Sequence, residues 1–283
     1  MPAMTPSQQA LLRSQSGPGA SAWLAARPTE RALTMRPVRM QVALRRRLRW
    51  PLPLCAAQCN GRACRKALDQ LGDHRAACSL SGRLKRRSRP VERIWARIFR
   101  EAGARVVEDA FLRNTSLAGI QGHDGRRVEI LATGLPLHRG VPLAVDATFV
   151  SPLHADGRPG PRAAVEDGVA IRRGEKAKEA TYPELVRSDV VRLITVAGEV
   201  GGRLSATTAA TLRQLAVARA RESPAPLRPA ASAAWALRWT RLLSVTMQDS
   251  LAATLVDDVP SDLDGTDGEP PSDVAVWLDG EGL

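Results

Sequence analysis

One acidic residue inside a strongly apolar run constrains the fold of this chain more than any other feature. Residues 141–150 read VPLAVDATFV, so Asp146 interrupts a stretch that is apolar enough to form a central β-strand. A buried carboxylate is costly unless it gains a hydrogen-bond partner or a metal ion. We therefore expect a strand over 141–150 and a metal-binding role for Asp146. The simpler alternative is an acidic side chain that faces solvent.

A second acidic residue lies on the preceding segment. Residues 126–131 read RRVEIL, in which Glu129 stands among apolar residues, and a turn at Gly134 leads into the next strand. Consecutive strands are usually neighbours in space. The sequence therefore predicts that Glu129 and Asp146 lie on adjacent strands.

A lysine-rich segment follows the two strands. Residues 175–185 read EKAKEATYPEL and contain no turn residue before Pro183, which predicts a short helix that carries Lys176 and Lys178. Two carboxylates can hold Mg²⁺ or Mn²⁺ while a substrate phosphate completes its shell. A nearby lysine can orient or deprotonate the attacking water. The alternative is a generic helix face exposed to solvent.

Together these segments resemble the PD-(D/E)XK, restriction-endonuclease-like superfamily, and more closely the endonuclease at the C-terminal end of site-specific non-LTR retrotransposons. In that family an R-x-PD strand precedes a D-x-T strand, and the lysine has moved into a K…KY helix. The matching residues here are Arg127-Val128-Glu129, Asp146-Ala147-Thr148, and Lys176 or Lys178 with Tyr182. Val-Glu stands where the family has Pro-Asp.

The resemblance implies an α/β fold with an αβββαβ order of elements and a mixed sheet flanked by helices, preceded by a small zinc module. It implies a metal-dependent DNA endonuclease in which Glu129 and Asp146 hold Mg²⁺ or Mn²⁺. Lys176 or Lys178 would then assist the attacking water. The alternative is a catalytically inactive retroelement remnant that binds DNA, or RNA, without cutting it.

The cysteines favour a local metal site over a disulfide framework, because all four lie within residues 55–78. Zn²⁺ prefers four tetrahedral nitrogen or sulfur ligands, and the spacing predicts a structural site formed by Cys59, Cys64, His74 and Cys78. Cys55 is an alternative first ligand, and Asp73 is expected to orient the neighbouring imidazole. Buried free cysteines are the other interpretation. The phrase ALDQLGDHRAAC also resembles the LD-x-x-G-x-H-x-x-x-C part of the retroelement zinc finger.

The charge of the chain favours a polyanionic partner. Of its 29 Asp+Glu residues, nine lie in residues 257–283, which contain no Lys or Arg. Residues 1–256 therefore carry 41 basic against 20 acidic residues. Phosphates attract such a surplus independently of base sequence, so nucleic acid is the expected partner. A GC-rich genome also enriches arginine without any functional reason.

Two basic clusters are the expected contacts to nucleic acid. Residues 35–50, MRPVRMQVALRRRLRW, predict an amphipathic helix whose apolar residues are Val38, Val42, Leu44 and Leu48. Residues 81–90, SGRLKRRSRP, predict a basic loop that is also a candidate nuclear localisation signal. The predicted contacts are Arg45, Arg46, Arg47, Arg83, Lys85, Arg86, Arg87 and Arg89. For the first cluster, a helix packed on the zinc module with a solvated arginine face is an equal alternative.

Composition and the resemblance together imply an arm and basic helix (1–50), a zinc module (51–89), an endonuclease-like domain (90–222), a helix (223–256) and an acidic tail (257–283). Residues 1–22 and the tail are expected to be loosely ordered, and residues 154–167 to form a mobile loop over the substrate groove. A helix is expected to start at Pro90, with Glu101 as an acidic contributor by position or a solvated glutamate. Without an apolar run of membrane-spanning length or a leader-like N-terminus, we expect an intracellular protein, and the basic run favours the nucleus.

Overall fold

The structure is a computed structural model that describes residues 4–53, 56–61, 63–115, 117 and 120–256. The helices in this part of the chain are α1 (Pro6–Ser14), α2 (Pro37–Arg47), α3 (Asp73–Ala77), α4 (Arg83–Glu101), α5 (Val169–Thr181), α6 (Pro183–Val186), α7 (Ala206–Ala220) and α8 (Arg228–Leu255). The strands are β1 (Arg105–Phe111), β2 (Arg127–Thr133), β3 (Leu143–Val150) and β4 (Arg192–Glu199). Cys55 and the acidic tail lie outside the described residues.

The four strands form one mixed sheet in the order β1-β2-β3-β4. β2 is antiparallel to both β1 and β3, whereas β3 and β4 are parallel. Parallel neighbours need a crossover connection, and α5 and α6 supply it between β3 and β4. The expected mixed α/β architecture, a sheet flanked by helices, is confirmed.

The two faces of the sheet pack against different helices. Alternate residues of a strand point to opposite faces. Val145 and Ala147 of β3 therefore join the main core with α4, α7 and α8, whereas Ala144 packs with Leu185 of α6. The helices described by the structure include none that is long and apolar enough to span a membrane.

The main core also takes residues from the N-terminal and C-terminal segments. Trp23, Val42 and Ala76 belong to it together with the apolar face of α8. Trp239 of α8 is fully buried, and its Nε1 donates a hydrogen bond to Glu101 Oε2 at 2.7 Å. Glu101 is thus engaged by α8, and it does not line the acidic site described below.

Residues 4–22 are ordered by specific contacts, contrary to the expectation of a loose arm. Thr5 begins α1 with a capping box, in which its hydroxyl accepts from Gln8 N–H and the Gln8 side chain accepts from Thr5 N–H. Leu11 is buried, and Ser14 Oγ accepts from Gly201 N–H at 3.0 Å. The short polar side chains that suggested disorder here serve as caps and hydrogen-bond partners.

The segment 154–167 is also anchored rather than free. Ser7 of α1 donates its hydroxyl to Gly157 O at 2.8 Å, and Arg13 Nε donates to Ala164 O at 3.0 Å. The loop is therefore held between α1 and the zinc module, and the expected mobile cover over a substrate groove is not what the structure shows.

α4 begins at Arg83, seven residues before the predicted start at Pro90. Proline inside a helix removes one backbone hydrogen bond and strains the preceding turn. Tertiary contacts hold that part of α4 in place, because the guanidinium groups of Arg83 and Arg87 bind carbonyl groups of α8, α3 and β3. The basic run is therefore mostly helical rather than a loop.

Candidate functional site

β2 and β3 separate at the level of Glu129 and Asp146. Their ladder joins residues 130–132 to residues 143–145. Beyond it, β2 continues along β1 and β3 continues along β4. The separation leaves the backbone N–H of Ala147 without a strand partner, and Oε2 of Glu129 accepts it at 2.6 Å. We call this opening, with Glu129 and Asp146 at its sides, the fork.

Of the two predicted lysines, Lys178 lies at the fork. Its Nζ is 2.6 Å from Asp146 Oδ1 and 3.7 Å from Glu129 Oε1. α5 comes this close because of Gly174, one turn earlier, where an added Cβ would lie 3.2 Å from Thr148 Cγ2. Lys176 is rotated by about 200° from Lys178 around the helix and is exposed. The structure therefore places Lys176 in solvent.

The fork concentrates negative charge in a buried place. Asp146 is only 1% exposed, and while its Oδ1 binds Lys178, its Oδ2 is shielded from solvent and has no hydrogen-bond partner among the described residues. Burial, followed by the negative charge of Asp146, raises the pKa of Glu129. Lys178 thus balances Asp146, while Glu129 keeps its proton to a higher pH than a free glutamate does. A bound cation would replace that proton, so the two carboxyl groups can serve as a cation site.

Contacts at the end of α5 fix the helix over the fork. Tyr182 donates its hydroxyl to the backbone O of Arg127 at 2.6 Å. Burial and then the charge of Asp146 raise the pKa of Tyr182. Next to it, Arg126 binds Asp124 and Glu184, each at 2.8 Å. These contacts link the start of β2 to the α5–α6 junction and therefore fix the position of Lys178 over the fork.

Further residues line the fork, and no sequence motif identifies Glu92, Arg93 or Asp109 among them. Glu92 and Arg93 of α4 and Asp109 of β1 share a cavity of about 120 Å³ with Glu129, Arg89 and Glu108. Burial, followed by the charge of Asp109, raises the pKa of Glu92. A helix that starts at Pro90 would leave Glu92 at its terminus, whereas the actual start at Arg83 places it inside α4, against the sheet. Glu92 is thus identified by where α4 begins and where it packs on the sheet.

A second cluster contains the four predicted zinc ligands. One ligand atom from each of them lies within 4.8 Å of all the others, and the residues are Cys59, Cys64, His74 and Cys78. The Cys59 and Cys78 sulfurs are 4.0 Å apart, and Cys64 Sγ is 3.4 Å from His74 Nε2. Tetrahedral zinc holds such ligand atoms roughly 3.5–3.8 Å apart. The cysteines of the cluster are free thiols, so the cluster could hold a structural zinc ion.

The imidazole of the cluster is oriented by a backbone carbonyl. His74 Nδ1 lies 2.8 Å from Ala155 O and donates to it in the tautomer that leaves Nε2 as the ligand atom. The expectation that Asp73 orients this ring is wrong, because the Asp73 carboxylate binds Arg46 and Arg49 instead. Asp69 holds the start of α3, where its carboxylate accepts three backbone N–H groups.

Three of the eight predicted nucleic-acid contacts are buried, namely Arg46, Arg83 and Arg87. Each guanidinium binds a backbone carbonyl, namely Leu71 O for Arg46, Thr254 O for Arg83 and Phe149 O for Arg87. They are structural groups and do not reach a phosphate. In the first cluster, Arg45 and Arg47 are half-buried and also bind carbonyls, while Leu44 and Leu48, predicted as apolar packing residues, are exposed.

Lys85, Arg86, Arg89 and Arg93 of α4 are exposed. Lys85, Arg89 and Arg93 recur every fourth residue, which places them along one side of the helix, with Arg86 beside them. Arg89 and Arg93 line the same cavity as Glu129. This α4 stripe, formed by Lys85, Arg89 and Arg93, therefore leads directly to the fork.

A scan of this chain against protein-family models finds no match, and a search among curated proteins finds none at the significance required. Evidence about function therefore comes from the geometry of the fork and the cysteine cluster.

Proposed function

We propose that this chain is a metal-dependent endonuclease that hydrolyses a phosphodiester bond of DNA. The observation that carries the proposal is the position of Lys178, whose Nζ is 2.6 Å from Asp146 Oδ1 and 3.7 Å from Glu129 Oε1. Two carboxylates and a lysine at one opening are a set that can position a cation, a phosphate and a water. Core packing alone does not need this set, because buried carboxylates reduce stability.

The order of elements supports the same proposal. From α4 to β4 the chain runs helix, three strands, helix, strand, around a mixed sheet. This is the order implied by the resemblance to restriction-endonuclease-like proteins. The lysine comes from the helix α5 rather than from the strand β3. In the retrotransposon endonucleases the lysine is also on a helix. We therefore propose a restriction-endonuclease-like fold of retroelement type for this domain.

Glu129 and Asp146 are the residues that would hold Mg²⁺ or Mn²⁺. Oδ2 of Asp146 is a carboxylate oxygen without a partner among the described residues, the kind of atom that such an ion needs. The ion binds through one or two carboxylates and keeps waters and the substrate phosphate in its shell. It would polarise the phosphate and lower the pKa of a bound water.

Lys178 acts on the same phosphate. In the free protein its ammonium balances Asp146, and a cation at the fork would release it for the phosphate or for the attacking water. The water attacks phosphorus, the bond from phosphorus to the 3′ oxygen breaks, and the leaving oxygen takes up a proton. The product is a nicked strand with a free 3′ hydroxyl.

The α4 stripe and the zinc module support binding of the substrate. Arg89 and Arg93 can bind DNA phosphates bidentately on the way to the fork. Arg87, on the buried side of α4, donates hydrogen bonds to Ala76 O, next to the cysteine cluster, and to Phe149 O of β3. A zinc ion in the cluster would therefore stabilise the position of α4, the helix that carries the α4 stripe.

Nicking of supercoiled plasmid by zinc-loaded protein tests the proposal. We expect nicking with Mg²⁺ or Mn²⁺ and none without them. Asp146→Asn and Glu129→Gln preserve shape and remove charge, and each should lower the rate on the order of 10²-fold or more. DNA affinity should stay within a few-fold in both variants.

The outcome also separates the proposal from its alternative. A wild-type protein that binds DNA in a salt-sensitive way but never nicks it would be a nucleic-acid-binding remnant of a nuclease. Nicking that persists in Asp146→Asn would contradict the assignment of the fork as the active site.

A further inference from the structure

A groove of about 500 Å³ runs along the outer edge of β4, separate from the fork. Its floor contains Leu193, Ile194 and Thr195 of the strand itself. α5 and α6 form one wall, and α7 forms the other. The groove is thus a recessed sheet edge with a helix on each side.

The floor of the groove presents unpaired backbone groups. β4 pairs only with β3 among the described strands. In a parallel pair, alternate residues direct their N–H and C=O groups to the neighbour and away from it. Arg192 N–H binds Pro142 O and Val200 N–H binds Val150 O, so the even-numbered residues face β3. The odd-numbered residues, including Leu193 and Thr195, face outward.

The chain closes the far end of this edge but not the part in the groove. Ala197 N–H binds the Thr208 hydroxyl, and Glu199 N–H binds Arg203 O. For Leu193 and Thr195, no residue within the described ranges donates to or accepts from the outward groups. Two N–H and two C=O groups therefore remain available at the floor, and such groups pair with an added strand.

The α5 wall carries a carboxyl group with one unpaired oxygen. Oε1 of Glu175 is shielded from solvent and has no hydrogen-bond partner among the described residues. Burial raises the pKa of Glu175, and a hydrogen bond with Ser205 opposes that rise. Glu179 follows one turn later on the same wall; Thr207, Thr211 and Gln214 on the α7 wall are uncharged, and Arg192 is the basic residue of the strand floor. A lysine or arginine side chain of a ligand would supply a positively charged hydrogen-bond donor to this wall.

We propose that this groove binds an extended segment of a partner protein, which adds as a fifth strand beside β4 and places a lysine or arginine against Glu175 and Glu179. Main-chain hydrogen bonds to Leu193 and Thr195 would give affinity, and the acidic wall would give selectivity. Pairing with the β4 strand of a second copy of this chain does not fit. Its own β4 is recessed between its helices, and it would bring its Glu175 and Glu179 against identical carboxylates.

The test uses acetylated, amidated pentapeptides of the sequence Thr-Val-Lys-Val-Thr, titrated into isotope-labelled zinc-loaded protein and followed by amide chemical shifts. We expect the amide signals of Leu193 and Thr195 to move at millimolar peptide. Methylation of the alternate peptide nitrogens that face β4 should abolish the shifts. Replacing the peptide lysine with glutamate should weaken binding about tenfold, because it removes a charge-assisted hydrogen bond.

The variant Glu175→Gln should weaken binding of the lysine peptide to a similar extent, because it removes the negative charge that faces the peptide lysine. Lys176→Gln, on the exposed side of α5, is the matched control and should bind as the wild type does. Unmoved Leu193 and Thr195 signals, equal binding of the methylated peptide, or equal binding of the lysine and glutamate peptides would each overturn the proposal.

Discussion

Replacing Lys178 with methionine tests the electrostatics of the fork without any assay of activity. Methionine keeps the length and helix propensity of lysine, so the change isolates the charge. The wild-type ammonium lies 2.6 Å from Asp146 Oδ1, and Asp146 is 1% exposed. The variant Lys178→Met leaves this carboxylate buried beside Glu129 without the ammonium that binds it.

The expected loss follows from the burial of the pair. Removing one partner of a fully buried ion pair costs about 3–5 kcal/mol. The Lys178 side chain is 27% exposed, so solvent screens part of the interaction. We therefore expect a loss of roughly 2–3 kcal/mol in the free energy of unfolding, or a Tm lower by about 5–10 °C for a chain of this size.

The loss should depend on pH in a defined direction. Burial, followed by the charge of Asp146, raises the pKa of Glu129 to about 9, while the charge of Lys178 lowers it. Removing the ammonium raises this pKa further, so ionisation of Glu129 destabilises the variant more than the wild type above about pH 9. The difference between the two proteins should therefore grow as pH rises through that value.

The assay is urea unfolding of zinc-loaded protein without Mg²⁺ or Mn²⁺, followed by circular dichroism. Lys176→Met on the exposed side of α5 is the control and should change stability by no more than about 0.5 kcal/mol. Equal stability of the two variants at neutral pH would refute the argument, because it would show that Lys178 does not balance buried charge.

Four further predictions concern two basic residues, the cysteine cluster and Glu92. Arg87→Met should lower the free energy of unfolding by about 2–4 kcal/mol, because Ala76 O and Phe149 O lose their donor. Arg89→Met should leave unfolding unchanged but weaken DNA binding and reduce its salt slope by about 1 in fluorescence anisotropy. Purified protein should contain one zinc ion per chain by mass spectrometry of metals, and Cys64→Ser should lower both zinc content and Tm; full zinc content in that variant would contradict the ligand set. Glu92→Gln should slow nicking while leaving DNA affinity within a few-fold, and an unchanged rate would remove Glu92 from the active site.

The strands of the fork were predictable because their signal is local. The apolar run 141–150 and the short run 126–131 form β3 and β2 near the expected positions. The ligand set of the cysteine cluster was predictable for the same reason, since its members lie within twenty residues of one another. Spacing along the chain was sufficient in both cases.

The choice between the two lysines depends on the rotational position of α5, which the sequence does contain. Ile171, Gly174 and Lys178 fall on one face, and Tyr182 continues it just beyond the helix. Ile171 and Tyr182 are buried and Gly174 contacts β3, so Lys178 follows the buried face and Lys176 does not. A helical projection of the sequence alone therefore favours Lys178 over Lys176.

Other features depend on contacts distant in sequence. α4 continues through Pro90 because Arg83 and Arg87 bind carbonyls at Thr254 and Phe149. Charge and propensity along the chain describe these arginines as a solvated basic run. Only the fold shows that they are buried, and the same is true of Glu92, whose place at the fork depends on where α4 crosses the sheet.

The most direct test of the central claim is the rate of metal-dependent plasmid nicking by Lys178→Ala compared with Lys176→Ala. Both variants lose one lysine from the same helix, so they change the net charge of the protein equally. We predict that Lys176→Ala nicks at nearly the wild-type rate and that Lys178→Ala loses on the order of 10²-fold or more. Equal rates for the two variants would contradict the proposed active site.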